Sequence, residues 1–149
     1  MANETAIADG IRAEYVRDSR ITNPAEVAIA VQDGTVTLRG TVGSIKQRHA
    51  AAEIAKSAHG VRAVEDELSV SPLARPEDLE LKGAALQALM SSDDAPADRI
   101  DVSVDGAWVT LKGEVKHQRE SDAAFAAVSG LPGSGGITNA IKVVSPTGT

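Results

Sequence analysis

The 149-residue sequence contains no cysteine, which excludes disulfide bridges and thiolate metal sites. It has one Trp, one Tyr and one Phe, too few aromatic rings to build a stacking surface for single-stranded nucleic acid. Acidic residues outnumber basic ones by 21 to 15, and the net charge of −6 argues against binding to nucleic acid phosphates. The sequence therefore predicts a protein with no nucleic acid partner.

Long apolar runs are also missing. No stretch approaches the roughly 18 apolar residues that a membrane-spanning helix needs. The first residues, MANETAIADGIRAEY, are too polar for a secretory signal. We therefore expect a cytoplasmic protein, or a periplasmic one if the sequence is a mature form that has been given a new Met1.

Two stretches in which apolar residues alternate with small or polar ones predict a pair of β-hairpins. The first is VAIAVQDGTVTLRG, residues 27–40, and the second is IDVSVDGAWVTLKG, residues 100–113. Compared with the first turn, the second is expected to be one residue shorter before its glycine and one residue longer after it, so that the glycine comes one position earlier. The repetition predicts two tandem units, residues 1–72 and 73–149, with SPLARPED as the linker.

Amphipathic helices are predicted around each hairpin. Ile7, Ile11 and Tyr15 are spaced four apart and form one apolar stripe of a helix over residues 4–18. After the first hairpin, Ser44 and Gln47 have the spacing of a capping box, which predicts a helix from about residue 45 to residue 58. Both helices should cover the same face of the hairpin.

A third strand should complete each unit. RAVEDELSV places Val64, Leu68 and Val70 in alternating phase, so it reads as a strand parallel to the one before the helix. Pro76 is well placed to open the first helix of the second unit. The predicted fold class is α+β: two tandem α-β-β-α-β units, each a three-stranded mixed sheet with two helices on one face.

In this order the pieces resemble the BON domain, a bacterial module named for an osmotically inducible periplasmic protein and nodulation proteins. The resemblance is carried by DGTVTLRGTV with Gly34 and Gly40, by GVRAVEDELSV, and in the second copy by Gly106, VTLKGEV with Gly113, and ITNAIKVV. It identifies the four glycines as structural. It also implies a non-catalytic module, often associated with phospholipid in the cell envelope, whereas other members are soluble cytoplasmic stress or ion-sensing proteins.

The residues offer little for catalysis or metal binding. The three histidines have no partner at ligand spacing, and the aspartates near residue 98 do not fit a calcium loop. These residues are His49, His59, His117, Asp93, Asp94, Asp98 and Asp101. No G-x-S-x-G elbow is present for a serine nucleophile. We expect no metal, no cofactor and no enzymatic activity.

Trp108 is the most informative single residue. It shares the phase of Thr110 and Lys112, which places all three on the sheet face away from the helices. Either Trp108 packs against the other repeat or caps the hairpin turn, or it contacts a ligand, partner or membrane interface. We expect partial shielding by the other repeat or by a second chain. The candidate binding residues are Trp108, Thr110, Lys112 and Arg39.

Two functions are consistent with these features. The first is a non-catalytic binding module in which two BON-like units associate with phospholipid or cell-envelope partners in a response to osmotic or other stress. The alternative is a cytoplasmic small-ligand or ion sensor, or a scaffold, that acts through contacts between the units or between proteins. A phospholipid surface, a protein partner and a second copy of the chain remain the alternative partners.

Overall fold

The computed structural model describes residues 4–144 and contains two α-β-β-α-β units in tandem. The first unit consists of α1 (Glu4–Arg17), β1 (Val27–Gln32), β2 (Thr35–Val42), α2 (Ile45–Ser57) and β3 (Ala63–Val70). The second consists of α3 (Pro76–Met90), β4 (Ile100–Asp105), β5 (Trp108–Val115), α4 (Gln118–Ser129) and β6 (Gly136–Val143). The predicted fold class is confirmed. Within residues 4–144, no helix combines the length and the apolar character needed to cross a membrane.

Each unit has a three-stranded mixed sheet with the middle strand of the hairpin at its centre. Sheet 1 has the order β1-β2-β3 and sheet 2 the order β4-β5-β6. In both, the hairpin strands are antiparallel and the third strand runs parallel to the central one. The strand after the helix was predicted to be parallel, and both sheets bear this out.

The two hairpin turns differ in the position of their glycine, as predicted. Both turns have two residues, Asp33-Gly34 and Gly106-Ala107, and all four have positive φ angles of 52° to 80°. This is the pattern of a type I′ turn. Asp105 is the last residue of β4 and pairs with Trp108. The glycine therefore comes one position earlier in the second turn, as predicted, while the turn length is unchanged, because burial of the apolar face holds both hairpins in one register and a slip would turn that face outward.

Two of the predicted structural glycines occupy equivalent positions in the central strands. Gly40 and Gly113 have φ angles of 132° and 141°. A Cβ atom on Gly40 would collide with the backbone oxygen of Glu26, and one on Gly113 would collide with that of Arg99. The chain entering each sheet therefore passes directly over the glycine, which is why no side chain fits there.

The core of the first unit lies between sheet 1 and its two helices. Ile7, Ile11 and Tyr15 of α1 are buried together with apolar residues of all three strands and the alanines of α2. The Tyr15 hydroxyl donates to the carbonyl of Ala51 at 2.9 Å, and burial raises the pKa of Tyr15. The small residues of α2 allow this close packing, so both helices cover one face as predicted.

Helix α3 has two buried sides and joins the units. Leu81, Ala85 and Leu89 belong to the core of the second unit. The backbone of Gly83 lies against the backbone of Ala25 and Glu26 in the first unit. Helix α3 therefore covers the outer face of sheet 1, the face opposite α1 and α2, as well as packing on sheet 2.

Candidate functional site

The outer face of sheet 2, opposite α3 and α4, is the surface on which most of the predicted binding residues meet. Val109 and Leu111 of β5 are fully buried toward the helices, so the alternate residues of that strand point outward. The register places Trp108, Thr110 and Lys112 in the middle strand of this face. Of the four predicted binding residues, the structure brings these three together.

The side chain of Trp108 packs against β6, the neighbouring strand of its own unit. Its ring lies so close to Gly136 that a Cβ atom there would collide with the ring carbons. Its indole Nε1 donates to Thr138 Oγ1 at 2.8 Å. The side chain is still 49% exposed. Partial shielding was expected from the other repeat or a second chain, but the shielding seen in the structure comes from β6.

The charges around Trp108 are mixed. Lys112 lies opposite Asp101 on β4 and beside Ala140 on β6. A shallow hollow of about 380 Å³ lies at this end of the face, lined by Lys112, Gly113, Glu114, Ala140 and Lys142. This part of the face is therefore close to electrically neutral, because the charges of Lys112 and Lys142 are balanced by those of Asp101 and Glu114. The ring of Trp108 lies at the other end of the same face.

Arg39 lies elsewhere, at the junction of the two units. Its Nη1 donates to the carbonyl of Ala97 at 2.7 Å and its Nη2 to the carbonyl of Ile100 at 3.2 Å. Its side chain is only 15% exposed, and its Nε lies 3.6 Å from a carboxylate oxygen of Glu67. The guanidinium therefore holds the second unit against sheet 1.

The four predicted glycines serve turns and close backbone contacts rather than the outer face. Gly34 and Gly106 have positive φ angles in the two hairpin turns, and Gly40 and Gly113 lie under the entering chain. Among residues 4–144, no group of three or more His, Cys, Asp or Glu side chains is arranged to hold a metal ion.

A model of the BON domain matches the sequence at residues 3–72 and again at residues 77–145. The chain belongs to the BON domain family. BON domains are non-catalytic modules that bind phospholipid or envelope components. No curated protein is significantly similar to the sequence.

Two solved structures share a similar course of the chain with this tandem BON protein. One is from CdsD, a structural protein of the type III secretion system of Chlamydia trachomatis, with 10% identity and a TM-score of 0.40 over 93% of this chain and 92% of that one. The other is the C-terminal domain of CdsD, with 10% identity and a TM-score of 0.39 over 96% of this chain and 100% of that one. Similarity at this level does not extend to function.

The first BON unit contains a buried polar pair that the sequence pattern concealed. Gln47 has capping-box spacing, and its backbone N–H does bond to Ser44 Oγ at 3.1 Å. Its side chain, however, donates to Glu26 Oε1 at 3.0 Å inside the unit. Burial raises the pKa of Glu26, while the amide of Gln47 opposes that rise and the negative charge of Glu80 adds to it.

A second polar cluster joins the BON units and was also missed. Lys82 of α3 donates to Thr41 Oγ1 of β2 at 2.8 Å, and Thr41 Oγ1 lies 2.8 Å from Ser69 Oγ of β3. The only signal in the sequence was that Lys82 is the single basic residue within α3. Nothing in the spacing of these residues indicates that they meet, because Thr41 and Lys82 are 41 positions apart.

Proposed function

We propose that this tandem BON protein is a non-catalytic binding module that associates with phospholipid surfaces of the cell envelope in a stress response, using the outer face of sheet 2. The observation that carries the proposal is the half-exposed indole of Trp108 on a sheet face that no helix or strand of residues 4–144 covers. The equivalent face of sheet 1 is covered by α3, so within the described residues sheet 2 is the one that offers this surface to a partner.

The chemistry of Trp108 suits the boundary between water and lipid. Its polar Nε1 already has a partner in Thr138, which leaves the apolar part of the ring to face outward. Amphipathic aromatic side chains are favoured at membrane interfaces because one part of the ring is apolar and the other can remain hydrated. The support of the ring by Gly136 holds it in place before any contact is made.

The charges on and around the face indicate which lipids to expect. Lys112 and Lys142 are offset by Asp101 and Glu114, and the whole chain carries a net charge of −6. An acidic protein gains little from the negative surface potential of anionic lipids. We therefore expect binding to zwitterionic vesicles to be at least as strong as binding to anionic ones, and only weakly dependent on salt.

Vesicle flotation tests this proposal. Phosphatidylcholine vesicles should carry the wild-type protein upward in a density gradient, and Trp108→Ala should reduce the floated fraction severalfold. Because Trp108 is the single tryptophan, its emission should also shift to the blue when vesicles are added.

Phe125 provides the matched control. It is an aromatic side chain of comparable exposure, 40%, but it lies on α4 and not on the outer face of sheet 2. Phe125→Ala should float as the wild type does. Equal flotation of Trp108→Ala and wild type, or failure of the wild type to float on any vesicle, would reject this face as the lipid contact.

A further inference from the structure

A polar hollow lies between the two units, beside α3. It has two neighbouring parts, of about 500 Å³ and about 300 Å³, and both are lined by Ser69 and Lys82. Thr41 and Ser69 enter from sheet 1, Lys82 from α3, and Ser103 from β4. The hollow exists because α3 and the edge of sheet 2 meet the outer face of sheet 1, so both units contribute to its wall.

Lys82 is the central group of this hollow. Its ammonium is half-buried and donates one hydrogen bond, to Thr41 Oγ1. Among residues 4–144, no carboxylate oxygen lies within 4.0 Å of its Nζ. An ammonium carries three N–H groups. Two of them are therefore available to a ligand that enters the hollow.

Arg39 adds a second positive charge at the same place. Its Nη atoms bond to the carbonyls of Ala97 and Ile100, and its charge is partly offset by Glu67, 3.6 Å from Nε, and by Asp101, 3.9 Å from Nη2. The pKa of Lys82 is lowered, first by burial and then by the positive charge of Arg39, and the carboxylate of Asp101 opposes this less strongly. Docking of the units has brought two cations together, and a bound anion would relieve their repulsion.

The remaining wall supplies hydroxyl donors, the cationic side chain of Arg75 and some acidic groups. Thr41 and Ser69 are hydrogen-bonded to each other, and Ser69 Oγ also lies 3.4 Å from the carbonyl oxygen of Gly40, to which it donates; a ligand would have to compete with these bonds for the hydroxyl hydrogens. Asp78 also lines the larger part, but its two carboxylate oxygens accept from the backbone N–H groups of Gly106 and Ala107. The remaining acidic groups are Asp105 on the larger part, and Glu67 and Asp101 on the smaller part.

We infer that this hollow is a binding site for a small oxyanion of the phosphate type, held by Lys82 and the hydroxyls of Thr41 and Ser69 in the field of Arg39. Because the ligand would contact both units, its binding strengthens their docking. The site lies away from Trp108 and belongs to the alternative class of function, sensing of a small ligand between the units. It does not depend on vesicle binding. A phosphate group could come from a soluble anion or from a lipid headgroup.

Thermal unfolding in inorganic phosphate tests the site. With about 20 mM phosphate and a Kd of about 1 mM, mass action predicts that Tm rises by roughly 4 to 7 °C over sodium chloride of equal ionic strength. Lys82→Met should lose this rise, whereas Lys56→Met, at an exposed lysine of α2 outside the hollow, should keep it. Because the rise is measured within each variant, a general loss of stability does not imitate it.

Phosphorus NMR provides a second measurement that does not depend on unfolding. Titration should broaden or shift the phosphate signal with the wild type and with Lys56→Met, but not with Lys82→Met. Equal rises in Tm, or equal NMR titrations, for wild type and Lys82→Met would overturn the inference.

Vesicles containing phosphatidic acid distinguish the two sources of phosphate. The comparison is made in proteins that carry Trp108→Ala, which removes the proposed lipid contact of sheet 2. If the ligand is soluble, adding phosphatidic acid to phosphatidylcholine vesicles leaves the floated fraction of Trp108→Ala unchanged. If the anion belongs to a lipid headgroup, phosphatidic acid raises that fraction, and Lys82→Met in the same background loses the rise. Neither result depends on the Trp108 proposal, because Trp108 is replaced in both proteins.

Discussion

The outer faces of the two sheets share one backbone plan and have opposite surroundings. Ala28 is fully buried beneath α3, whereas Asp101, 73 positions later in the equivalent strand, has a side chain that is 90% exposed. Ala30 likewise corresponds to Ser103. Small apolar residues allow a helix to approach a sheet closely, whereas burial of an unpaired carboxylate is costly. Side-chain size and charge therefore decide which face is covered.

The same contrast appears where the chain enters each sheet. Glu26 in the first unit is buried against Gln47, and the residues 73 positions later are Arg99 and Glu120. Arg99 is exposed, and Glu120 accepts from the backbone N–H groups of Lys116 and His117 at the start of α4. The first unit thus buries its pair, Glu26 and Gln47, whereas in the second unit Glu120 caps α4 and Arg99 is exposed.

The strongest test of the comparison uses the glycines inside α1 and α3. Gly83→Ala should lower the free energy of unfolding by about 3 kcal/mol, at the upper end of overpacking effects, because its Cβ atom would meet the backbone of Ala25 and Glu26. Gly10→Ala, where nothing lies within 4 Å of the new atom, should raise it by about 0.5 to 1 kcal/mol. Urea unfolding measures both. Equal stabilisation by the two changes would mean that α3 is not docked on the first unit.

The next largest effect should come from Gln87, which covers the exposed edge of β1. Its side-chain amide accepts from the N–H of Ile29 at 2.8 Å, donates to the carbonyl of Ile29 at 2.9 Å, and accepts from Arg12 at 2.7 Å. Gln87→Ala should cost about 2 kcal/mol because three polar groups lose a partner. Gln118→Ala, which removes an exposed amide bonded to Asp122, should change stability by less than about 0.5 kcal/mol. Amide hydrogen exchange at Ile29 should quicken only in the first variant.

Trp108→Ala should have a smaller effect on stability. A fully buried aromatic residue costs about 3 to 5 kcal/mol when truncated, and Trp108 is only half-buried, so a loss of about 1 to 2 kcal/mol is expected. Its emission maximum should lie between those of buried and free tryptophan, with partial quenching by iodide. A fully red maximum with unhindered quenching would contradict the contact with Gly136 and Thr138.

The smallest effect concerns the pH dependence of stability. Burial raises the pKa of Glu26 above its ordinary value of 4.5, so the folded state binds a proton that the unfolded state has already released. Stability from this group is therefore complete below about pH 4.5 and is lost as the pH rises through the folded pKa, by at most about 1.4 kcal/mol per pH unit. The free energy of unfolding of Glu26→Gln, compared with wild type across pH 4 to 7, should lack this loss. Parallel curves for the two proteins would contradict the raised pKa.

Much of the fold could be predicted because its signals are local. The alternation of Val27, Ile29 and Val31 defines a strand, and the spacing of Ile7, Ile11 and Tyr15 defines a helical stripe. The candidate site was predicted in part for the same reason: Trp108, Thr110 and Lys112 alternate along one strand. Arg39 was grouped with them because its position in β2 places it on the sheet face away from α1 and α2. In the structure, however, α3 covers that face of sheet 1.

The remaining misses share one cause. Gln47 was assigned to a cap, although its side chain bonds to Glu26, which lies 21 positions away. Lys82 is the single basic residue of α3 in the sequence, but its side chain donates to Thr41, which is in turn hydrogen-bonded to Ser69. Such contacts join residues that are far apart in the chain. Where a side chain can hydrogen-bond to more than one partner, the sequence does not show which partner it takes.

The sequence by itself determined the two repeats, the order of helices and strands, the strand pairing and the outward phase of Trp108, because these depend on periodicity, turns and caps within a few residues. Only the tertiary structure decided that α3 lies on the outer face of sheet 1, that Arg39 joins the units and that Lys82 stands in a hollow between them. The physical reason is that docking depends on the match of two whole surfaces. Gly83 and Ala28 contribute to that match only once the units are folded and in contact.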